Sequence, residues 1–270
     1  MSDVDKLFAG SIPKLYETWL VPLIFEPYAQ DLKPRVAALH PTRILEVAAG
    51  TGVVTRALAT LANDGVSIVA TDLNQAMLDE AAAVGTVRPV SWRQADAMAL
   101  PFADGEFDVV VCQFGVMFFP DKARAFAEAR RVLQPGGTFL FNVWDRIGEN
   151  EFADTVTRAL EAVFPDDPPR FLARTPHGYH DPATIRRDLA AGGFTRSPRM
   201  ATVAARSRAE SARIPALAYC QGTPLRNEIE ARDATRLAEA TDAAAAAIAR
   251  QFGAYAVDGR IQAHVITVEK

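Results

Sequence analysis

The chain has 270 residues, 49% hydrophobic and 23% charged, enough to bury a full α/β core without disulfide or metal support. Its 29 Lys and Arg against 33 Asp and Glu leave a net charge of −4, and without a basic cluster this argues against nucleic acid as a partner. The two cysteines, Cys112 and Cys220, form neither a CxxC pair nor a metal-type spacing, which argues against a disulfide framework and a metal site.

The opening Met1-Ser2-Asp3-Val4-Asp5-Lys6 lacks the basic and apolar regions of a signal peptide. No run approaches the roughly 18 apolar residues of a spanning helix. The expectation is a cytoplasmic protein with no membrane insertion. Residues 7–39 then supply Leu7, Phe8, Ile12, Leu15, Tyr16, Trp19, Leu20, Leu23, Ile24, Phe25 and Tyr28, broken by Pro13, Pro22 and Pro27. So apolar a segment packs as short helices, in the manner of a cover over a site.

From 43 to 145, short runs rich in β-branched residues alternate with stretches at helical spacing, which predicts βαβ units and a doubly wound, mostly parallel α/β sheet. Strands are expected at 43–48, 66–71, 88–93, 107–113 and 138–144, and helices at 53–61, 75–83 and 122–132. Val109-Val110-Val111-Cys112 is apolar on both faces, so helices cover both sides. Asn74 and Asp121 are placed to cap the second and third helices, and Pro135-Gly136-Gly137 reads as the turn that ends the third. An amphipathic helix follows at Phe152, Val156, Ala159, Leu160 and Val163, and Asp181-Pro182 opens another that Gly192-Gly193 closes. Residues 208–255 read as a helical cap and 261–268 as the last strand. The chain is expected to be one domain, with a cover at 1–40, a core at 41–150 and substrate-side helices, cap and last strands at 151–270.

The chemistry is concentrated in Glu46-Val47-Ala48-Ala49-Gly50-Thr51-Gly52, where an apolar strand enters a Gly-x-Gly turn and then a helix. That turn presents backbone N–H groups at the carboxyl end of a parallel sheet, where ligands of open α/β sheets bind. Glycines at 50 and 52 let a ligand approach the main chain. Asp72 ends the second strand about twenty residues on, where a carboxylate accepts ribose hydroxyls. A dinucleotide site would need a third small residue where Thr55 stands. Asp96 in Gln94-Ala95-Asp96-Ala97-Met98 is placed either to cap its loop or to meet an adenine amino group, and Glu46 to organise the glycine loop.

Together, Glu46-x-Ala48-x-Gly50-x-Gly52, Asp72, Asp96-Ala97 and Phe107-Asp108-Val109-Val110-Val111-Cys112-Gln113 resemble the class I S-adenosylmethionine-dependent methyltransferases, in particular the ubiquinone/menaquinone-biosynthesis-like (type 11) branch. The resemblance spans about residues 40–145. It implies a Rossmann-like seven-stranded sheet with the last strand antiparallel, a helical cap between the last two strands, and S-adenosylmethionine over the carboxyl ends of the first strands. It further implies that Gly50, Gly52 and Ala48 line the methionine part, with Ala48 where the family often has Gly, and that Glu46 supports the loop. Asp72 would hold the ribose, Leu73 would pack on adenine, Asp96 and Ala97 would meet its edge, and Gln113 and Phe114 would lie beside the methionine moiety. The pattern Pro13-x-x-Tyr16…Leu20-x-Pro22-x-x-Phe25-x-Pro27-Tyr28 resembles a cover segment in a subset of the family, which makes Tyr16 and Phe25 cofactor-cover candidates.

The expected reaction is in-line methyl transfer to a small, apolar acceptor such as a quinol, phenol, lipid or secondary metabolite. No catalytic residue is required by such a displacement, and His177, His180 and Tyr16 are the groups in reach of a base role, His180 foremost. His177-x-x-His180 lacks a third ligand, so no metal is expected. The cap either closes a monomer's cleft or forms a homodimer face. A nicotinamide-dependent oxidoreductase is the competing reading, opposed by Thr55 and by the lack of a Tyr-x-x-x-Lys pair, and a module that binds the cofactor without turnover is the third.

Overall fold

The computed structural model describes residues 8, 10–62 and 65–270, so residues 1–7, Leu7 among them, lie outside it. Its strands are β1 (Arg43–Val47), β2 (Ser67–Asp72), β3 (Ser91–Gln94), β4 (Phe107–Gln113), β5 (Leu133–Trp144), β6 (Arg199–Ser211) and β7 (Tyr255–Glu269). They form one seven-stranded sheet in the order β3-β2-β1-β4-β5-β7-β6. The first five are parallel, and β7 runs antiparallel between β5 and β6. The chain winds outward from β1 in one direction and from β4 in the other, so a crevice opens where these two strands diverge at their carboxyl ends.

The period of two along the central strands divides the core. Leu45, Val47, Val110, Cys112, Phe139 and Phe141 face one side, and Ile44, Val109, Val111 and Leu140 the other. Helices α1 (Ile12–Leu15), α2 (Glu26–Ala37), α3 (Val53–Ala59), α4 (Gln75–Val84), α5 (Lys122–Val132) and α6 (Glu151–Val163) precede the short α7 (Phe171–Arg174) and α8 (Pro182–Ala191). Ala29, Leu32 and Val36 of α2 and Val54 and Leu58 of α3 cover the second side, whereas Phe126 of α5, Phe152 of α6 and Leu189 of α8 cover the first. Phe126, Phe139 and Phe141 are buried, Phe139 stacking on Phe141 while Phe126 meets Phe139 edge-on, each contributing about 1.5–3 kcal/mol from burial alone. The cap is α9 (Arg213–Gln221), α10 (Leu225–Asp233) and α11 (Leu237–Phe252), inserted between β6 and β7.

Several expectations need correction. The third strand starts at Ser91 rather than 88, because Pro89 has no N–H to give a ladder and the Arg88 guanidinium turns back onto the carbonyls of Ala59 and Leu61. Helix α5 ends at Val132, before Pro135-Gly136-Gly137, and that tripeptide is a bulge within β5, with Gly136 at φ +79° and the register slipping between Phe107 and Val109. The seventh strand that the resemblance implies is β6, which no local signal places, and residues 208–211 belong to it rather than to the helical cap. Asn74 sits at the start of α4 without capping it, whereas Asp121 does cap α5, accepting from Arg124 N at 2.9 Å.

Helices α5 and α8 meet so closely that a Cβ on Gly192 would lie 2.5 Å from Phe126 Cβ and 3.0 Å from Ala123 O. Gly192→Ala is therefore expected to lower stability by about 1–3 kcal/mol through overpacking. A urea midpoint equal to wild type would show that these helices part freely.

Candidate functional site

The glycine loop joins β1 to α3, and residues 48, 50 and 52 all have left-handed backbone, at φ +55°, +57° and +83°. Ala48 thus adopts at a cost of about 1–2 kcal/mol a conformation that glycine takes freely. The loop is held from β2. Gly50 N–H donates to Asp72 Oδ2 at 2.8 Å, Asn74 N–H to Asp72 Oδ1 at 2.8 Å, and Ala49 N–H to Thr71 O at 2.9 Å. From below, the buried Glu46 carboxyl accepts from Thr55 Oγ1 at 2.5 Å, fixing the first turn of α3 where a dinucleotide-type loop would need a small residue.

Beside this loop lies a cavity of about 300 Å³. Tyr16, Phe25, Ala48, Gly50, Asp72, Leu73, Asp96, Ala97, Gln113 and Phe114 all line it. Ten of the twelve residues singled out in the sequence are thereby brought together. Glu46 and Gly52 are not on its wall. Glu46 lies behind the loop, bonded to Thr55. For Gly52 the reason differs from the one anticipated: a Cβ there would lie 2.8 Å from Trp92 Cη2 and 3.2 Å from Ala81 Cβ, so the glycine admits Trp92, not a ligand. A Cβ on Gly50 would meet nothing closer than 3.6 Å, so the left-handed backbone is what demands glycine there.

The donor set fits an adenosyl sulfonium. Leu73 is 45% exposed beside Asp72 and Ala97, an apolar surface with nothing over it. Asp96 Oδ1 caps its own turn by accepting from Met98 N at 2.9 Å, and its Oδ2 has no partner among the described residues. Gln113 donates Nε2–H to Phe25 O at 3.2 Å, and its buried Oε1 is likewise without a partner among the described residues. Burial raises the Asp72 carboxyl above its ordinary range, offset in part by the N–H groups of Asn74 and Gly50.

A ten-residue π-helical stretch, Tyr16–Phe25, continues α1 into α2 and roofs the cavity with Tyr16, Leu20, Ile24 and Phe25. Tyr16 stacks on Phe25 at 4.9 Å, and Phe25 leans on Phe114, which stacks on Trp144 at 3.8 Å. Glu17 is tied to Arg56 at 2.7 Å, and the same guanidinium donates to Thr51 O at 2.6 Å, joining roof and glycine loop. Burial and the Asp72 charge raise the Tyr16 phenol far above its ordinary value, so it is not a proton acceptor.

The far wall, His177 apart, has no signal in the sequence. It comprises Phe118, Phe119, Phe171, Leu172, Pro176, His177 and Tyr219, residues of the loops after β4 and β5 and of the cap that touch only in the folded chain. His177 lines the cavity; His180, the favoured base in the sequence, does not, because its Nδ1 is turned onto His177 O at 2.9 Å. Among the described residues no helix is long and apolar enough to cross a membrane, and no cluster of three or more His, Cys, Asp or Glu is placed to hold a metal.

A family model described as a methyltransferase domain matches residues 45–141. The chain is 29% identical over 206 residues to the ubiquinone/menaquinone biosynthesis C-methyltransferase UbiE of Stutzerimonas stutzeri, covering 72% of this chain and 76% of that protein. To the UbiE of Teredinibacter turnerae it is 40% identical over 102 residues, 36% of this chain and 41% of that protein, so the chain spans under half the length of that relative. Among solved structures, phosphoethanolamine N-methyltransferase 2 of Haemonchus contortus, in complex with phosphomonomethylethanolamine and S-adenosylhomocysteine, aligns with a TM-score of 0.59 at 17% identity. That alignment covers all of this chain and 61% of that one, and the likeness is one of fold.

Burial pushes the Glu46 carboxyl up to about 8 from an ordinary value of 4.5, and the Thr55 hydroxyl and the Arg56 charge only partly offset this. The folded chain therefore holds a proton that the unfolded chain releases, and stability is lost as pH rises from about 4.5 to about 8. Glu46→Gln keeps an acceptor for Thr55 and is expected to flatten this slope, gaining on wild type at about pH 9 relative to about pH 5. Denaturant midpoints at both pH values check it; parallel changes in the two proteins would mean that Glu46 is ionised in the fold.

Proposed function

In this member of the class I S-adenosylmethionine-dependent methyltransferases, of the UbiE-like type, we propose that the methyl donor lies in the cavity over the carboxyl ends of β1, β2 and β4 and that the acceptor is a neutral, apolar small molecule. The observation that carries this reading is the meeting of Gly50, Asp72, Asp96 and Gln113, from four separate strand ends, on one cavity wall. In this reading Asp72 receives the ribose hydroxyls, Leu73 and Ala97 sandwich the adenine and Asp96 Oδ2 accepts from its amino group. Ala48, Gly50, Gln113 and Phe114 flank the methionine part. Gln113 Oε1 is suited to its ammonium, since a buried carbonyl oxygen without a donor is costly until one arrives. Tyr16 and Phe25 close over the donor and exclude water.

S-adenosylmethionine supplies an activated methyl group on a sulfonium, and the protein's task is to align the acceptor and keep water out. The acceptor class follows from the far wall. Among the described residues no Lys or Arg side chain lines the cavity, so nothing there would neutralise a phosphate or carboxylate. Phe118, Phe119, Phe171, Leu172 and Pro176 instead offer apolar surface. A charged acceptor would lose its hydration without compensation, at a cost of several kcal/mol, whereas a neutral aromatic or lipid-like molecule gains from burial.

Calorimetry with S-adenosylhomocysteine, and with NAD as control, tests the donor site. Asp72→Asn is expected to weaken S-adenosylhomocysteine binding about tenfold or more, the scale of a hydrogen bond to a charged group, with thermal unfolding followed alongside because Asp72 also braces the loop. Equal affinity in the variant, or preference for NAD, would overturn the placement.

A further inference from the structure

Four polar side chains of the cavity wall lie on the acceptor side: Asn150, His177, Tyr219 and Thr223. Two are saturated. Asn150 gives Nδ2–H to the carbonyls of Asp145, Arg146 and Gln262 and accepts from Gln262 N, and Thr223 Oγ1 donates to Tyr219 O and accepts from Leu225 N. Burial raises the Tyr219 phenol above its ordinary value, so it stays protonated and offers no base. Of the four, His177 alone retains a basic lone pair. Its Nδ1 lies 2.8 Å from Asp145 O, a partner that can only accept, so Nδ1 carries the hydrogen and Nε2 the lone pair. The ring is also held in place: His177 N–H donates to Leu172 O at 3.1 Å, and a Cβ on the next residue, Gly178, would run into Arg174 O.

We propose that His177 is the general base of the transfer and that the acceptor is a hydroxyl compound, a phenol or enol, whose proton passes to Nε2. This rests on the donor and acceptor placement above. The O–H bond breaks towards Nε2, the oxygen pair closes on the methyl carbon, and the pair of the breaking C–S bond stays on sulfur. Atoms and charge balance: the positive charge that the sulfonium brings into the apolar cavity passes to the imidazolium as the thioether forms, so no additional charge is buried. A carboxylate base in this place would need its own desolvation. Burial pushes His177 down to about 4, while the charges that reach it, Asp145 just past the end of β5 and His180 from its own turn, act in opposite senses. The imidazole is therefore neutral and able to accept.

The test uses the protein saturated with S-adenosylhomocysteine and labelled with ¹⁵N-histidine, the His177 signals being identified by their loss in His177→Asn, which retains an amide hydrogen for Asp145 O. The probe is 2-naphthol, with 2-methoxynaphthalene as a control of like shape that has no proton to give. Nε2 is expected to resonate as an unprotonated nitrogen, to shift with 2-naphthol and to stay put with the methoxy compound. Single-turnover transfer from S-adenosylmethionine to 2-naphthol should fall about 10²- to 10⁴-fold in His177→Asn, with S-adenosylhomocysteine affinity within about twofold of wild type. A protonated Nε2, an Nε2 indifferent to bound 2-naphthol, or transfer at equal rates in both proteins overturns the base. Intact S-adenosylhomocysteine binding with no uptake of 2-naphthol overturns the apolar hydroxyl acceptor and the base with it, while loss of S-adenosylhomocysteine binding in wild type would instead sink the donor site.

Discussion

A single carboxylate sets the geometry of the donor half. Asp72 stands at the end of β2 and uses both oxygens on backbone N–H groups, one from the glycine loop after β1 and one from its own turn. Parallel strands bring the ends of β1 and β2 side by side, but they do not specify how the connecting loops lie, and a loop with three left-handed residues has many competing conformations. The bond from Gly50 selects one. Once it is made, α3 begins where Glu46 can hold Thr55, and the guanidinium of Arg56 reaches Thr51 O and Glu17. Roof, loop and second strand then share one set of constraints, and each hydrogen bond in it depends on the others being formed.

The acceptor half is built on a different principle. Its wall is aromatic and aliphatic, and most of its polar groups are turned onto nearby backbone. Such a surface selects by shape and by the absence of charge, and orientation is left to the few groups that keep a free valence. The stacked pair Phe114 and Trp144 marks the boundary between the halves. Phe114 sits at φ +51°, its N–H held by Asn142 Oδ1 at 2.9 Å, and Gly115 beside it leaves no room for a Cβ against Ala48 and Cys112. A strained aromatic at a strand end is tolerated because its ring is packed on both sides.

How much of this was legible follows from what each feature depends on. β1, β2 and β4, with Gly50, Asp72 and Asp96, carry local signals, namely branched apolar runs, a glycine turn and acids at strand ends, whereas Tyr16, Phe25, Leu73, Ala97, Gln113 and Phe114 follow only from the family resemblance; ten of the twelve residues line the one cavity. Glycine at 52 was assigned the wrong reason because its constraint, Trp92, is forty residues away in sequence and adjacent only after α4 and β3 have packed. Strand β6 carries little signal, since Thr202 and Val203 are its only branched residues and Arg199, Ala204, Arg206 and Arg208 deny it a clean apolar face. It is an edge strand, and its exposed Arg206 and Arg208 pair with Asp258 on β7. The exchange of His180 for His177 on the wall turns on which imidazole finds the carbonyl of Asp145, a partner on another element that spacing within Pro176-His177-Gly178-Tyr179-His180 cannot reveal.

The insertion of β7 between β5 and β6 also orders events during synthesis. When β6 leaves the ribosome, β5 is already present, yet the two never pair, and the strand that bridges them comes last, after the three helices of the cap. Until then β5 has an open edge and β6 no partner. Tyr28, whose hydroxyl donates to Val203 O at 3.1 Å from the roof helices, gives β6 one anchor made by residues synthesised long before it. The amino-terminal segment thus acts as a nursemaid to the sheet: a chain in which residues 12–37 docked poorly would expose thirteen residues of unpaired strand to other nascent chains, and its first failure would be aggregation during translation.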